Sequence, residues 1–342
     1  MSTKHFTANV ISATKVVPDG NFQNSAASGV WDLSEQYDLR RGGNWPETGN
    51  ADIANRGVFA GGYTGSVDSD VIDFVDIAST GNAIDFGNLT SGKWSIGALS
   101  SATRGLFAGR YNFINNIDYI VLGTTGNASD FGDLSTTSGN GAGCSSKTRG
   151  IFAIGLTGTD AYSNIIEYVT IANTGNTTDF GNLTVARRSL ASCSSPTRGI
   201  WAGGSIGGGP PFNTNVIDYV TIASTGNATD FGDLNTAADS KSNVSSSTRG
   251  VIKTSYGGVT MDYITIGTTG NATDFGDLVN ATASMGGCSS NVRGLFAGSG
   301  NTSNVIEYIT IANTGNATDF GDLTVARGSN GQGCSGGHGG LQ

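Results

Sequence analysis

The stretch NVIDYVTIASTGNATDFGDL, residues 215–234, decides how the chain is read. Its DFG tripeptide is also the magnesium-holding motif of protein kinases. There it works beside a glycine-rich nucleotide loop, a strand lysine and a catalytic loop, and this sequence has none of the three. Instead the tripeptide recurs at Asp85, Asp130, Asp179, Asp230, Asp274 and Asp319, each time inside a near copy of the same phrase. One active site does not need six such motifs. They read as a structural repeat, with the aspartate expected to bond backbone amides at a turn.

Three markers define the repeat. The Arg-Gly glycines are Gly57, Gly105, Gly150, Gly199, Gly250 and Gly294, and an acid before an aromatic residue follows at Asp73, Asp118, Glu167, Asp218, Asp262 and Glu307. The DFG glycines are Gly87, Gly132, Gly181, Gly232, Gly276 and Gly321. Acid and DFG glycine lie 14 residues apart in all six copies, and the next Arg-Gly glycine follows 18 later wherever a full copy follows. Only the first segment varies, running 16, 13, 17, 19, 12 and 13 residues. Each unit has one rigid part and one adjustable loop.

A period of 44 to 51 residues suits propeller blades of four strands. In the fourth copy the expected strands are 186–194, 198–204, 215–223 and 228–234, with Gly226 and Asn227 as the reversing residues of the last hairpin. The third strand sets Val216, Asp218, Val220 and Ile222 on one side and Ile217, Tyr219, Thr221 and Ala223 on the other. Neither face is plainly wet, as expected of a sheet packed between two like sheets. The first copy starts at its second strand, whereas residues 325–342 match first-strand material. The fold expected is therefore all-β: a six-bladed β-propeller of four-stranded antiparallel blades over residues 51–342, closed by the C-terminal strand. A short N-terminal extension, residues 1–50, precedes it.

Composition narrows the function. The net charge of −9 and the lack of a Lys/Arg-rich run argue against nucleic acid, which is bound through its phosphates. No run of about 18 apolar residues offers a membrane span, and the N-terminus carries no signal-peptide core. Cys144, Cys193 and Cys288 share a place that Leu99 and Val244 fill in other copies, so they read as a buried apolar slot. Asn-X-Ser/Thr triplets at Asn176, Asn227, Asn271 and Asn316 match glycosylation acceptors. With only His5 and His338, a histidine-rich copper or zinc centre lacks ligands. Acid and amide side chains near each DFG leave calcium open, although EF-hand spacing is absent. No catalytic, cofactor or metal residue is assigned. Two suitably placed carboxylates among 27 acids would suffice for a glycosidase, which stays an alternative beside a protein-interaction hub.

The Arg-Gly arginines and strand acids invite pairing as structural ion pairs: Arg56 with Asp73, Arg104 with Asp118, Arg149 with Glu167, Arg198 with Asp218, Arg249 with Asp262 and Arg293 with Glu307. They would face each other across strands or across a blade junction.

FAGG at 59–62 and WAGG at 201–204, each followed by a strand with an aromatic and a hairpin, resemble the Kelch class of propeller repeat, although FAGR, FAIG and IKTS depart from it. NVIEYITIANTGNATDFGDLTVAR, residues 304–327, and ASGVWDLSEQYDLRRGGNWP, residues 27–46, more closely resemble virion and tail-associated proteins of tailed bacteriophages, especially marine ones. That resemblance implies a noncatalytic virion structural protein, tail-associated or fibre-like, assembled in the host cytoplasm. Residues 1–50 would be an attachment arm to other virion proteins, anchored by Trp31, Tyr37, Leu39 and Trp45, or a flap packed over the propeller. The adjustable loops, with Tyr63, Tyr111, Phe113, Tyr162, Phe212 and Tyr256, should emerge together as a recognition face. Host surface glycan or protein is its expected partner, with self-assembly into a homo-oligomer left open.

Overall fold

The computed structural model describes residues 53–110, 114–207, 212–239, 242–254, 256–300, 302–328 and 332–337. The anchor residues Trp31, Tyr37, Leu39 and Trp45, and both histidines, lie outside that set. So do Tyr111 and Phe113.

The described chain forms six antiparallel sheets arranged as a six-bladed propeller. In the fourth blade the strands run Ala191–Ser194, Arg198–Ala202, Val216–Thr221 and Thr229–Asp233, from the axis outward. The first blade takes its innermost strand from the end of the chain, Gln332–Ser335 pairing antiparallel with Arg56–Ala60. The second blade gains a short fifth strand, Leu156–Thr157, lent by the adjustable loop of the third. The innermost strand of the fourth blade starts at Ala191, later than the pattern predicts, because Arg187 and Arg188 upstream are engaged with neighbouring loops.

The hydrophobic core lies between blades. Cys193, Ile200, Ile217, Phe231 and Leu234 of the fourth blade pack with Ile252, Ile264 and Ile266 of the fifth. The same arrangement closes the ring, where Leu295, Ile306 and Phe320 of the sixth blade meet Val75 and Ile77 of the first. Both faces of each sheet are thus buried, which explains third strands without a wet side. Within every blade the aromatic after the strand acid meets the DFG phenylalanine edge to face, as for Tyr219 and Phe231 at 5.9 Å and 79°. Such pairs add about 0.5–1.5 kcal/mol beyond the area they bury.

The DFG motif belongs to the outer rim. Gly226 and Ala228, in the hairpin of the fourth blade, donate their N–H groups to the carbonyls of Phe180 and Asn182 on the outer strand of the third, both at 2.8 Å. Asn227 Oδ1 accepts the N–H of Asn182 in return at 3.1 Å. The same triplet closes the ring where Gly81, Asn82 and Ala83 dock on residues 320–322. Asn227 therefore does not supply a positive φ, as the hairpin reading proposed; its side chain joins blades. The DFG aspartates are exposed, and Asp130 accepts from the side chain of Asn116 rather than from a turn amide. The indispensable member is the glycine. Gly181 has φ +149°, and a Cβ there would collide with the backbone carbonyl of Gly226. Gly181→Ala should therefore destabilise the protein by about 2 kcal/mol or more, read by chemical denaturation. A variant as stable as the parent would show that this rim contact is dispensable.

Candidate functional site

The Arg-Gly arginines and strand acids were expected to pair across strands or across a blade junction, and the structure gives each of them other partners. In register, Arg56 faces Asp76, three residues beyond Asp73, and every other copy repeats this offset. Three residues is an odd step of about 10 Å along a strand, so arginine and acid project from opposite faces of the sheet. Each reaches a different neighbouring blade.

The arginines reach forward. Arg56 stacks over Phe74 of its own blade at 4.8 Å and donates to the carbonyl of Leu122 in the next at 2.7 Å. Arg104, Arg149, Arg198 and Arg249 likewise stack over Tyr119, Tyr168, Tyr219 and Tyr263. They donate to Ile171, Ile222, Ile266 and Ile311. Arg293 stacks over Tyr308 and bonds Ile77 and Ala78 across the closure.

The acids reach back. Asp218 accepts the N–H of Thr184 at 3.2 Å and its hydroxyl at 2.6 Å, and Asp73 takes the same groups of Thr324 across the closure. Asp118 binds Thr90, Glu167 binds Ser135, Asp262 binds Asn235, and Glu307 binds Val279 and Asn280. All six acids are buried. Three gain a buried cation from the preceding blade: Lys93 at 3.0 Å for Asp118, Arg187 at 3.0 Å for Asp218 and Arg327 at 2.8 Å for Asp73. Desolvation pulls the pKa of all three cations down, against the pull of their carboxylates. Junctions without such a cation carry Ser138, Ala238 and Thr282 at the same place.

Two inner layers complete the scaffold. The cysteine slot presses on the Arg-Gly glycine of the next blade: a Cβ on Gly199 would lie 2.6 Å from Cys144 Sγ, and one on Gly105 as close to Cys334. All four cysteines are free and buried, and burial pushes the Cys193 and Cys334 thiols up to about 12. Around the axis, serines form a belt. Ser145 Oγ donates to Ser100 O at 2.7 Å, Ser100 Oγ to Ser335 O at 2.9 Å and Ser289 Oγ to Ser245 O at 2.8 Å. Ser335 and Ser245 donate in the same sense to Ser289 and Ser194. The axial space left beside this belt is about 30 Å³, on the order of one water. Residues 98, 143, 192, 243, 287 and 333 line it, and they are small apart from Asn243.

The chemistry left unspent gathers on one face. Antiparallel order puts the adjustable loops and the crossovers from each outer strand to the next inner strand at the same end of the blades. Tyr63 packs against the crossover residue Trp94 with ring centroids 6.0 Å apart, and Arg188 lies 5.7 Å from the Tyr162 ring. Arg110 pairs with Asp68 between the first two blades. Phe212 and Tyr256 are exposed at 57% and 67%. Of the predicted recognition residues, Tyr63 and Tyr162 are thus half-buried, stacked against the crossovers.

Within that face is a cleft of about 190 Å³ lined by Trp94, Ser95, Asn140, Arg188, Ser189, Asp239, Tyr256, Ala283, Ser284 and Gly300. Trp94, Arg188 and Asp239 escaped the sequence reading. They share one column, seven residues past the DFG glycine, filled in order by Trp94, Gly139, Arg188, Asp239, Ala283 and Gly328. Its divergence beside constant columns was the available signal. Burial raises the pKa of the Asp239 carboxyl, and Arg188 and Lys253 act against that rise. Lys253 replaces the alanine of the other five second strands, and burial lowers its pKa to about 8. Among the described residues no group of three or more His, Cys, Asp or Glu is placed to share a metal ion.

A comparison with protein-family models finds no match, and a comparison with curated proteins finds none.

Asp218→Asn leaves Arg187 buried beside a neutral partner and should cost about 3–5 kcal/mol by urea denaturation. Asp262→Asn, at a junction without the cation, should cost about 1–3 kcal/mol. Equal losses would refute the distinction. Lys253 titrates near 8 when folded against an ordinary 10.5, so between those pH values the unfolded chain binds more protons. Stability of the parent should therefore rise with pH across that window relative to Lys253→Met, and a difference that stays flat would contradict the burial penalty.

Proposed function

We propose that this chain is a noncatalytic recognition module of a tailed-phage virion. Residues 1–50 attach it to other virion proteins, and the loop face of the propeller docks on a host surface glycan or protein. One observation carries the recognition half of this reading. The six copies keep the Arg-Gly step, the strand acid and the DFG glycine but diverge at the column seven residues past that glycine, of which Trp94, Arg188, Asp239 and Ala283 line the cleft. Repetition under a structural constraint preserves what joins blades, whereas a binding face requires unlike side chains at like places. The strand acids support the noncatalytic half, because all six are buried in blade junctions. The wording of the repeats supports the virion setting by its resemblance to tail-associated proteins.

A glycan-processing enzyme on the same scaffold is favoured by Asp239, a carboxyl in a cleft with the raised pKa of a general acid. Glycoside hydrolysis ordinarily needs two carboxyl groups flanking the bond, and Asp239 is the single acid among the described lining residues. The recognition reading is therefore preferred. Mass spectrometry of purified virions should find the chain at stoichiometric level, and the purified protein should retard adsorption by competing for host cells. Its absence from virions would end the virion assignment, and release of reducing sugar from host polysaccharide, lost in Asp239→Asn, would favour the enzyme.

A further inference from the structure

In the cleft of about 190 Å³ aromatic, cationic and acidic side chains converge. Its size is several times the ~30 Å³ a water occupies in the liquid, and short of the roughly 300–1,000 Å³ that encloses a drug-sized ligand. Such a volume suits one ring of a larger molecule. Trp94 and Tyr256 supply two π faces, on which the C–H face of a pyranose can rest. The floor is fixed: Ser95 Oγ donates to Asn140 Oδ1 at 2.7 Å, the Asn140 N–H to Ser95 O at 3.0 Å, and the Ser189 N–H to Asn140 O at 3.0 Å.

Those three residues come from successive crossovers, and all sit in the left-handed region, with φ of 60°, 58° and 54°. None is glycine, so each carries a backbone cost of about 1 kcal/mol or more, of the kind that collects at binding sites. Arg188, on the same wall, has a buried Nε that meets no partner. That atom is closed to water, so a ligand would meet the terminal nitrogens of the guanidinium. Charge gives the acceptor its sign. Arg188 is the single cation among the described lining residues, and Asp239 has both Arg188 and Lys253 as charged neighbours.

We propose that the cleft binds a single acidic pyranose, a hexuronate, with the ring between Trp94 and Tyr256 and the carboxylate on Arg188. Asn140 and Asp239 would take the ring hydroxyls, the amide as donor and the carboxylate as acceptor. This rests on the recognition reading above and gives it a ligand class.

The test is titration of the intact chain with D-glucuronate and, as the uncharged counterpart, D-glucose, followed by saturation-transfer NMR. Glucuronate should bind at least about tenfold tighter than glucose, the margin of one charge-assisted hydrogen bond pair. Arg188→Gln should remove that margin and leave glucose unchanged, whereas Trp94→Ala should weaken both sugars. Tyr256→Ala, at an exposed position that cannot threaten folding, should also weaken both about tenfold. Val292→Ala, in an exposed turn between first and second strands, should change neither. Equal affinity for the two sugars, no binding of glucuronate, or indifference to Arg188→Gln and Tyr256→Ala would each overturn the proposal. Failure here with intact virion incorporation and adsorption competition would leave the recognition reading standing. Glucuronate binding in a protein absent from virions would do the reverse.

Discussion

Each of the six junction acids is buried, and the blade before it supplies groups that satisfy it. An unsatisfied carboxylate away from water costs several kcal/mol, so a blade alone cannot form with its acid in place. The arginine on the opposite face carries the same dependence forward, since it donates to carbonyls that the following blade supplies. Each sheet is thereby incomplete on both sides. Closing six such sheets into a ring supplies a partner to every one of them, and the pairing of Gln332–Ser335 with Arg56–Ala60 completes the first.

The junction repeats at four radii. Serine hydroxyls join blades at the axis, the cysteine, leucine or valine slot fits over a glycine next to it, acids and arginines span the middle, and the DFG strand takes a hairpin at the rim. Polar and apolar layers alternate, so sliding one blade along its neighbour would break hydrogen bonds as well as packing. Such register control is what buried polar groups contribute best. The junctions differ most in charge, through the presence of Lys93, Arg187 or Arg327 beside the acid. Where those cations are missing, amide and hydroxyl donors carry the carboxylate among the described residues.

A scaffold that spends its conserved chemistry on cohesion leaves function to positions free of that duty. The crossover column at the cleft is such a position, since it follows the junction residues directly and four of its members line the cleft. Lys253 belongs to the same departure. It enters where five copies keep alanine, at the end of the second strand, and it acts on the neighbouring Asp239.

The repeat, its strand count, the closing strand and the apolar cysteine slot were all legible in the sequence, because spacing and alternation are properties of the chain order itself. The partners of the arginines and acids were not. Their offset of three residues in register sends them to different faces, and that register exists only once strands have paired. Nor could the order of residues say that the asparagine of each turn bonds the neighbouring blade, or that Trp94, Arg188, Asp239 and Tyr256, drawn from separate copies, meet in one cleft. Sequence determined which elements form, since that depends on local periodicity. Tertiary structure decided which groups meet, because the ring brings together residues that lie one or more copies apart in the chain.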